Sequence, residues 1–185
     1  AAMLGLHVVF AIDRAGLVGE DGETHHGLFD VGFLRHAPGL TVLCPASLKE
    51  LQEMLTWSVE QHTGPVAIRY PRGGNGAYSD SAFISSHSVP VNGSVACHRR
   101  GNDVVLITYG KLLDQAMAAA EALAKKGLEA TVLRLLTVAP LPVSQISAYV
   151  GDNADVFVIE ETLAGCGIGS VLSAELARIR PNCRI

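Results

Sequence analysis

Val8 to Gly27 reads VVFAIDRAGLVGEDGETHHG, five uninterrupted apolar residues followed by a polar, glycine-rich loop. A continuous β-rich run of this kind is the pattern of a strand buried on both faces of a parallel sheet. The loop then leaves the strand's carboxyl end, where open α/β sheets place their ligand sites. Downstream, Leu28, Val31 and Leu34 recur at helical spacing until Pro38-Gly39, and Leu40 to Leu43 reads as a second buried strand. Ser47-Leu-Lys-Glu50 reads as a capping box, with the serine hydroxyl and the glutamate carboxylate satisfying backbone donors at a helix start. The helix it opens is expected to turn Leu48, Leu51, Leu55 and Val59 along one face. Pro65 to Tyr70 (PVAIRY) is a third strand. Strand, helix, strand, helix, strand predicts an α/β domain with a parallel sheet. Ala1 to His7 reads as the tail of a preceding helix and turn, so the fold is expected to begin upstream of Ala1.

The periodic pattern stops from Pro71 to about Gly101, a stretch rich in Gly, Ser, Asn and Pro with a weak strand-like patch around Ser88 to Val95. Its length reads as an interdomain linker. A second α/β unit follows. Val104 to Thr108 is a strand, and Leu112 to Lys126 a helix with Leu113, Ala116, Met117, Ala120 and Leu123 inward and Gly127 as its cap. Ala130 to Leu135 and Val156 to Ile159 are strands, and Val143 to Val150 and Ser170 to Arg178 are helices.

The bulk numbers narrow the function classes. In 185 residues, 49% hydrophobic and 17% charged, a large buried core is available and disorder is not expected. A net charge of −4 with no densely basic stretch argues against a nucleic-acid partner, which needs clustered Lys and Arg. No apolar run is long enough to span a bilayer, so a soluble, cytoplasmic protein is expected. Cys44, Cys97, Cys166 and Cys183 form no CxxC pair and read as free thiols.

Three clusters could carry chemistry. The first loop gathers Arg14, Glu20, Asp21, Glu23, His25 and His26 among four glycines. Composition alone leaves a solvated turn open, but the position at a strand end favours a ligand site. The second is Arg69-Tyr70-Pro71-Arg72-Gly73-Gly74, also just past a strand. Its arginines suit bidentate phosphate contacts, or else pair with surface carboxylates. Two such clusters at strand ends of one sheet could converge on a single cleft. The third, Glu160-Glu161 through Gly165, Gly167, Gly169 and Ser170, misses the spacing of a dinucleotide fingerprint and reads as a tight turn before a helix. The histidines have no ligand-like spacing, and no protein-only metal site is expected.

The loop DRAGLVGEDGETHHG, the following GLFDVGFLRHAPGLTVLCPAS and the segment PVAIRYPRGG together resemble the 1-deoxy-D-xylulose-5-phosphate synthase family, relatives of transketolase. The likeness is dense from Val8 to Gly74 and looser to the end, through IEETLAGCGIGS. It implies residues 1–75 as part of a pyrimidine-binding domain, 76–101 as a linker and 102–185 as a transketolase C-terminal α/β domain. It also implies condensation of pyruvate with glyceraldehyde 3-phosphate, with loss of carbon dioxide, for isoprenoid, thiamine and pyridoxal precursor synthesis. By the same resemblance the enzyme is expected to be a homodimer using thiamine diphosphate and Mg²⁺, in the cytoplasm or in a plastid. By the resemblance Arg14 and Arg72 bind the substrate phosphate, while Asp21 and His25 serve catalysis facing the substrate and the thiamine-bound intermediate. His26 and Glu20 are left as loop structure.

Departures accompany the likeness. The family's cofactor-activating glutamate and its diphosphate-binding domain, with the metal motif, are expected upstream, in a missing N-terminal part of the same enzyme. Thr137 to Pro142 stands where the family often has a Lys-Pro stretch ending in Asp, and Cys166 stands at a common glycine. The isolated chain is therefore expected to be inactive. Two rivals are the smaller subunit of a split transketolase-like or 2-oxoacid dehydrogenase enzyme, and a non-catalytic dimerisation module.

Overall fold

The computed structural model describes residues 1–77, 94–152 and 154–185. The patch expected at 88–95 therefore lies, up to residue 93, outside the described residues. A short 3-10 turn, Ala2–Leu4, precedes β1 (Val9–Ile12), α1 (Asp30–Leu34), β2 (Thr41–Leu43), α2 (Leu48–Glu60) and β3 (Val66–Arg69). Then come β4 (Val95–Arg99), β5 (Val104–Tyr109), α3 (Leu113–Ala124), β6 (Ala130–Leu135) and β7 (Thr137–Ala139). The chain continues through α4 (Val143–Ser147), β8 (Asp155–Ile159) and α5 (Gly169–Ile179).

The described strands form two four-stranded sheets, ordered β1-β3-β2-β7 and β4-β6-β5-β8. In the first, β3 runs parallel to both β1 and β2, as the apolar strand pattern requires. In the second, β5 lies between β6 and β8, parallel to each. Each sheet also takes one antiparallel strand that sequence reasoning did not assign. β4, inside the stretch read as linker, pairs with β6. β7, from the second half of the chain, pairs with β2 and completes the first sheet. One hydrophobic cluster accordingly runs through both units, joining Val31, Val42 and Ala67 to Ile107, Leu133 and Leu172.

Two expectations need correction. The VVFAI run is not buried on both faces: β1 is an edge strand with β3 as its neighbour, and Phe10 stays 40% exposed. In the same sheet β2 and β3, which have partners on both sides, are buried throughout. In α2, Leu48 and Val59 are more than half exposed and Leu55 is exposed too, whereas Glu50, Met54, Trp57 and Ser58 face the core. The helix is rotated relative to its aliphatic stripe because Glu50 is drawn inward by a buried cation. Arg134, fully buried on β6, donates from both terminal nitrogens to Glu50 at 2.8 and 2.9 Å, and its Nε lies 3.1 Å from His98 Nε2. Ser47 does cap the helix, accepting from Glu50 N–H at 3.1 Å. The glutamate half of the expected box is redirected: Glu50 accepts from the Ala46 N–H at 2.7 Å instead. This ion pair ties α2 of the first unit to β6 of the second.

Candidate active-site cleft

β1 and β3 end in register, Ile12 beside Arg69, so the segments carrying Arg14 and Arg72 leave the sheet edge side by side. The ladder continues one step past the strands, where Ala15 N–H donates to Tyr70 O at 3.1 Å. The loop then closes on itself, with Gly27 N–H donating to Arg14 O at 3.0 Å and Gly16 N–H to Gly27 O at 3.2 Å. Arg14 adopts φ 56°, left-handed backbone that is costly for a side-chain-bearing residue and concentrates at functional sites. That conformation turns its guanidinium toward Asp21.

Both expected phosphate ligands meet on one carboxylate. Arg14 Nε donates to Asp21 Oδ2 at 2.9 Å, and Arg72 Nη1 donates to Asp21 Oδ1. Arg14 also pairs with Asp13, and Arg72 with Glu20 Oε2 at 3.1 Å. The Asp21 hydrogen bond, reinforced by the charge of Asp13, raises the Arg14 pKa, so the guanidinium stays charged. The structure thus brings together Arg14, Asp21 and Arg72. It does not bring His25 to them: His25 sits exposed in the 3-10 turn Glu23–His25, its Nδ1 3.1 Å from Thr24 Oγ1. His26 is a loop strut, its Nδ1 accepting from Val18 N–H at 2.8 Å.

Arg69 is neither a surface ion pair nor exposed to a ligand's full approach. It is buried, donating to Asp30 at 2.7 Å and to Gly27 O at 2.8 Å, and so pins the far end of the glycine-rich loop. The sequence signal for this is Asp30 at a helix start.

Two adjoining cavities of about 360 and 220 Å³ open at these strand ends. The larger is lined by Arg14, Ser47, Arg72 and Asn75, and the smaller by Arg69, Tyr109 and Glu161. The Glu160-Glu161 turn, read as mere packing, contributes to this region. Glu161 Oε2 accepts from Leu17 N–H at 3.1 Å, holding the arginine-bearing loop from the second unit. Glu160 accepts from Ile168 N–H at 2.9 Å, Gly169 N–H at 3.1 Å and the Tyr109 hydroxyl at 3.0 Å. Burial, with Glu160 beside it, pushes the Tyr109 pKa up, so the phenol remains a donor. Cys44, behind the smaller cavity, is pushed up to about 12 by burial and is not a nucleophile at neutral pH. Among the described residues no three His, Cys, Asp or Glu side chains cluster as a metal site. No described helix is long and apolar enough to cross a membrane.

A cleft at the carboxyl ends of a parallel sheet, walled by a second α/β unit, defines the class: the chain belongs to the transketolase family. Residues 1–76 match the transketolase pyrimidine binding domain and residues 93–182 the transketolase C-terminal domain. Within that family the chain is similar to 1-deoxy-D-xylulose-5-phosphate synthases. It is 36% identical to that of Clostridium acetobutylicum over 92% of this chain and 27% of the relative. It is 42% identical to that of Desulforudis audaxviator over 90% of this chain and 26% of the relative. The chain therefore spans about a quarter of the length of the curated relatives it matches. Among solved structures, a split gene transketolase, an inactive β4 tetramer, superposes with a TM-score of 0.80 at 22% identity, covering 99% of this chain and 57% of that one. A transketolase from Pichia stipitis gives 0.70 at 18% identity, over 89% of this chain and 24% of that one. These two likenesses bear on the fold.

Proposed function

We propose that this chain supplies the acceptor-phosphate side of the active site of a 1-deoxy-D-xylulose-5-phosphate synthase, in which pyruvate and glyceraldehyde 3-phosphate condense with loss of carbon dioxide. The observation that carries the reading is the convergence of Arg14 and Arg72, from two strand ends, on one anionic group beside the larger cavity. Guanidinium forks that hold a carboxylate also match a phosphate ester. Asp21 then competes with the phosphate for the same forks. When the ester binds, the carboxylate is released to face the substrate, and the exposed His25 of the same loop is assigned to proton movement as part of this proposal.

The family's cofactor is thiamine diphosphate with Mg²⁺. Among the described residues no three His, Cys, Asp or Glu side chains cluster to hold the cation. The remaining machinery, and the partner copy of a dimer, would come from outside these residues, and a cytoplasmic setting is part of the same proposal. The chain alone is expected to give negligible turnover.

Calorimetric titration tests the reading. The chain should bind glyceraldehyde 3-phosphate more tightly than unphosphorylated glyceraldehyde, and Arg14→Ala or Arg72→Ala should weaken only the former, by about tenfold or more. Equal binding of both ligands, or arginine variants that titrate like the parent, would sink it. So would deoxyxylulose phosphate formed by the pure chain, for the claim of inactivity. The superposition on the split gene transketolase supports a second reading, a subunit completed by a separate polypeptide. Co-purification of a partner carrying the metal motif would favour that one.

A further inference from the structure

We propose that Lys111, from the second unit, is a third cationic contact for the phosphate ester and a determinant of its selectivity over uncharged acceptors; this rests on the phosphate-site reading above. β5 is flanked by strands on both sides in the second sheet, and its carboxyl end runs straight into the turn Gly110–Leu112. Gly110 takes φ 59° and is buried, and a methyl group added there would stand 3.6 Å from Pro45 O of the first unit. That close approach carries Lys111 onto the wall of the cleft. Lys111, Arg72 and Pro71 are the residues that line both cavities, so the ammonium sits where the two join. A methyl group at Gly73, which has φ 108°, would lie 3.5 Å from Lys111 Nζ. Gly73, next to Arg72, thus lies beside the lysine ammonium at the same opening.

The ion pairing of the three cations differs. Arg14 is held by Asp13 and Asp21, and Arg72 by Asp21 and Glu20. Among the described residues no carboxylate pairs with Lys111. A phosphate dianion arriving at the cleft must displace an existing partner from each arginine, whereas Lys111 offers three donors with no such exchange. Its position on the opposite unit also means that a bound phosphate would bridge the two walls.

The test uses the whole chain and titrates glyceraldehyde 3-phosphate, with glyceraldehyde as the uncharged control, against Lys111→Met, Lys111→Arg and Arg72→Ala. Lys111→Met should weaken phosphate-ester binding by about tenfold, the loss of one charge-assisted contact, and leave glyceraldehyde unchanged. Lys111→Arg should retain most of the affinity, and the salt dependence of binding should flatten in the methionine variant. Parental affinity in Lys111→Met while Arg72→Ala loses binding would overturn the role of Lys111 alone. No preference for the phosphorylated ligand in the parent chain would overturn the phosphate site and this inference together.

Discussion

Replacing Arg134 by methionine should destabilise the protein severely, although Arg134 is remote from any surface. The arginine is fully buried, and Glu50 is nearly so. Two hydrogen bonds of 2.8 and 2.9 Å join them, and Glu50 Oε2 also accepts from Ala46 N–H at 2.7 Å. Methionine fills much of the same volume, so the cost lies in Glu50, left as an uncompensated buried charge. Breaking such a pair from one side costs about 3–5 kcal/mol. With a urea dependence near 3 kcal/mol per M, that is a fall in the unfolding midpoint of roughly 1–2 M. The companion variant Glu50→Gln/Arg134→Met removes both charges and keeps an acceptor for the Ala46 amide, so it should recover well over half of the loss. Urea unfolding followed by far-ultraviolet circular dichroism measures all three. If Arg134→Met unfolds within 1 kcal/mol of the parent, or the double variant is as unstable as the single one, the account of a buried pair clasping the two units is wrong.

Four further outcomes are expected. Gly16→Ala should lower stability by about 2 kcal/mol, because φ is 78° and the added methyl would stand 2.0 Å from Glu161 Oε2; thermal melting reads this, and an unchanged melt refutes the clash. Asp21→Asn should tighten binding of glyceraldehyde 3-phosphate by about threefold, since a neutral amide competes less for the arginine forks; weaker binding in the same titration would show that Asp21 supports the phosphate. Cys44 should resist iodoacetamide at pH 8 until the protein is denatured, whereas the partly exposed Cys166 and Cys183 are alkylated in the native state, as mass spectrometry would show. The Arg184 hydrogen bond holds Asp155 below its ordinary pKa. Its contribution is therefore present above the unfolded carboxyl value and lost as pH falls through the lower folded one, so the stability gap between the parent and Arg184→Ala should close in acid unfolding scans.

The elements that sequence reading located well are those governed by local chemistry. The segment Ala130 to Leu135 is a strand with those same bounds, and Gly127 closes α3 with a left-handed φ of 81°. Leu113, Ala116 and Ala120 face inward as their spacing requires. The misreadings occur where a distant partner decides. The face of α2 is chosen by Arg134, 84 residues away in the chain, and no periodicity in Leu48 to Val59 carries that information. β1 is apolar enough for an interior strand yet lies at an edge, because run composition does not count neighbours. β7 is three residues long and preceded by another strand, so its membership of the first sheet is invisible to a window of local pattern. At the cleft, the meeting of Arg14 and Arg72 was legible from two polar clusters at strand ends. Glu161 and Lys111 were not, since each depends on how the second unit lies against the first, and the buried role of Arg69 rests on Asp30, 39 residues away in the chain.

The placement of β7 in the first sheet keeps the two units from being beads on a string. A cut in the chain between Arg99 and Val104 would send β4 away with the first piece, while its ladder partner β6 stays with the second. The same cut would leave β7 on the second piece, and β2 on the first with an open edge. Each piece thus keeps a strand that the other needs, which is the arrangement exploited in split-protein complementation. The two halves, expressed separately, should find each other and reassemble, whereas swapping either half for a relative's would succeed only if both borrowed strands were matched.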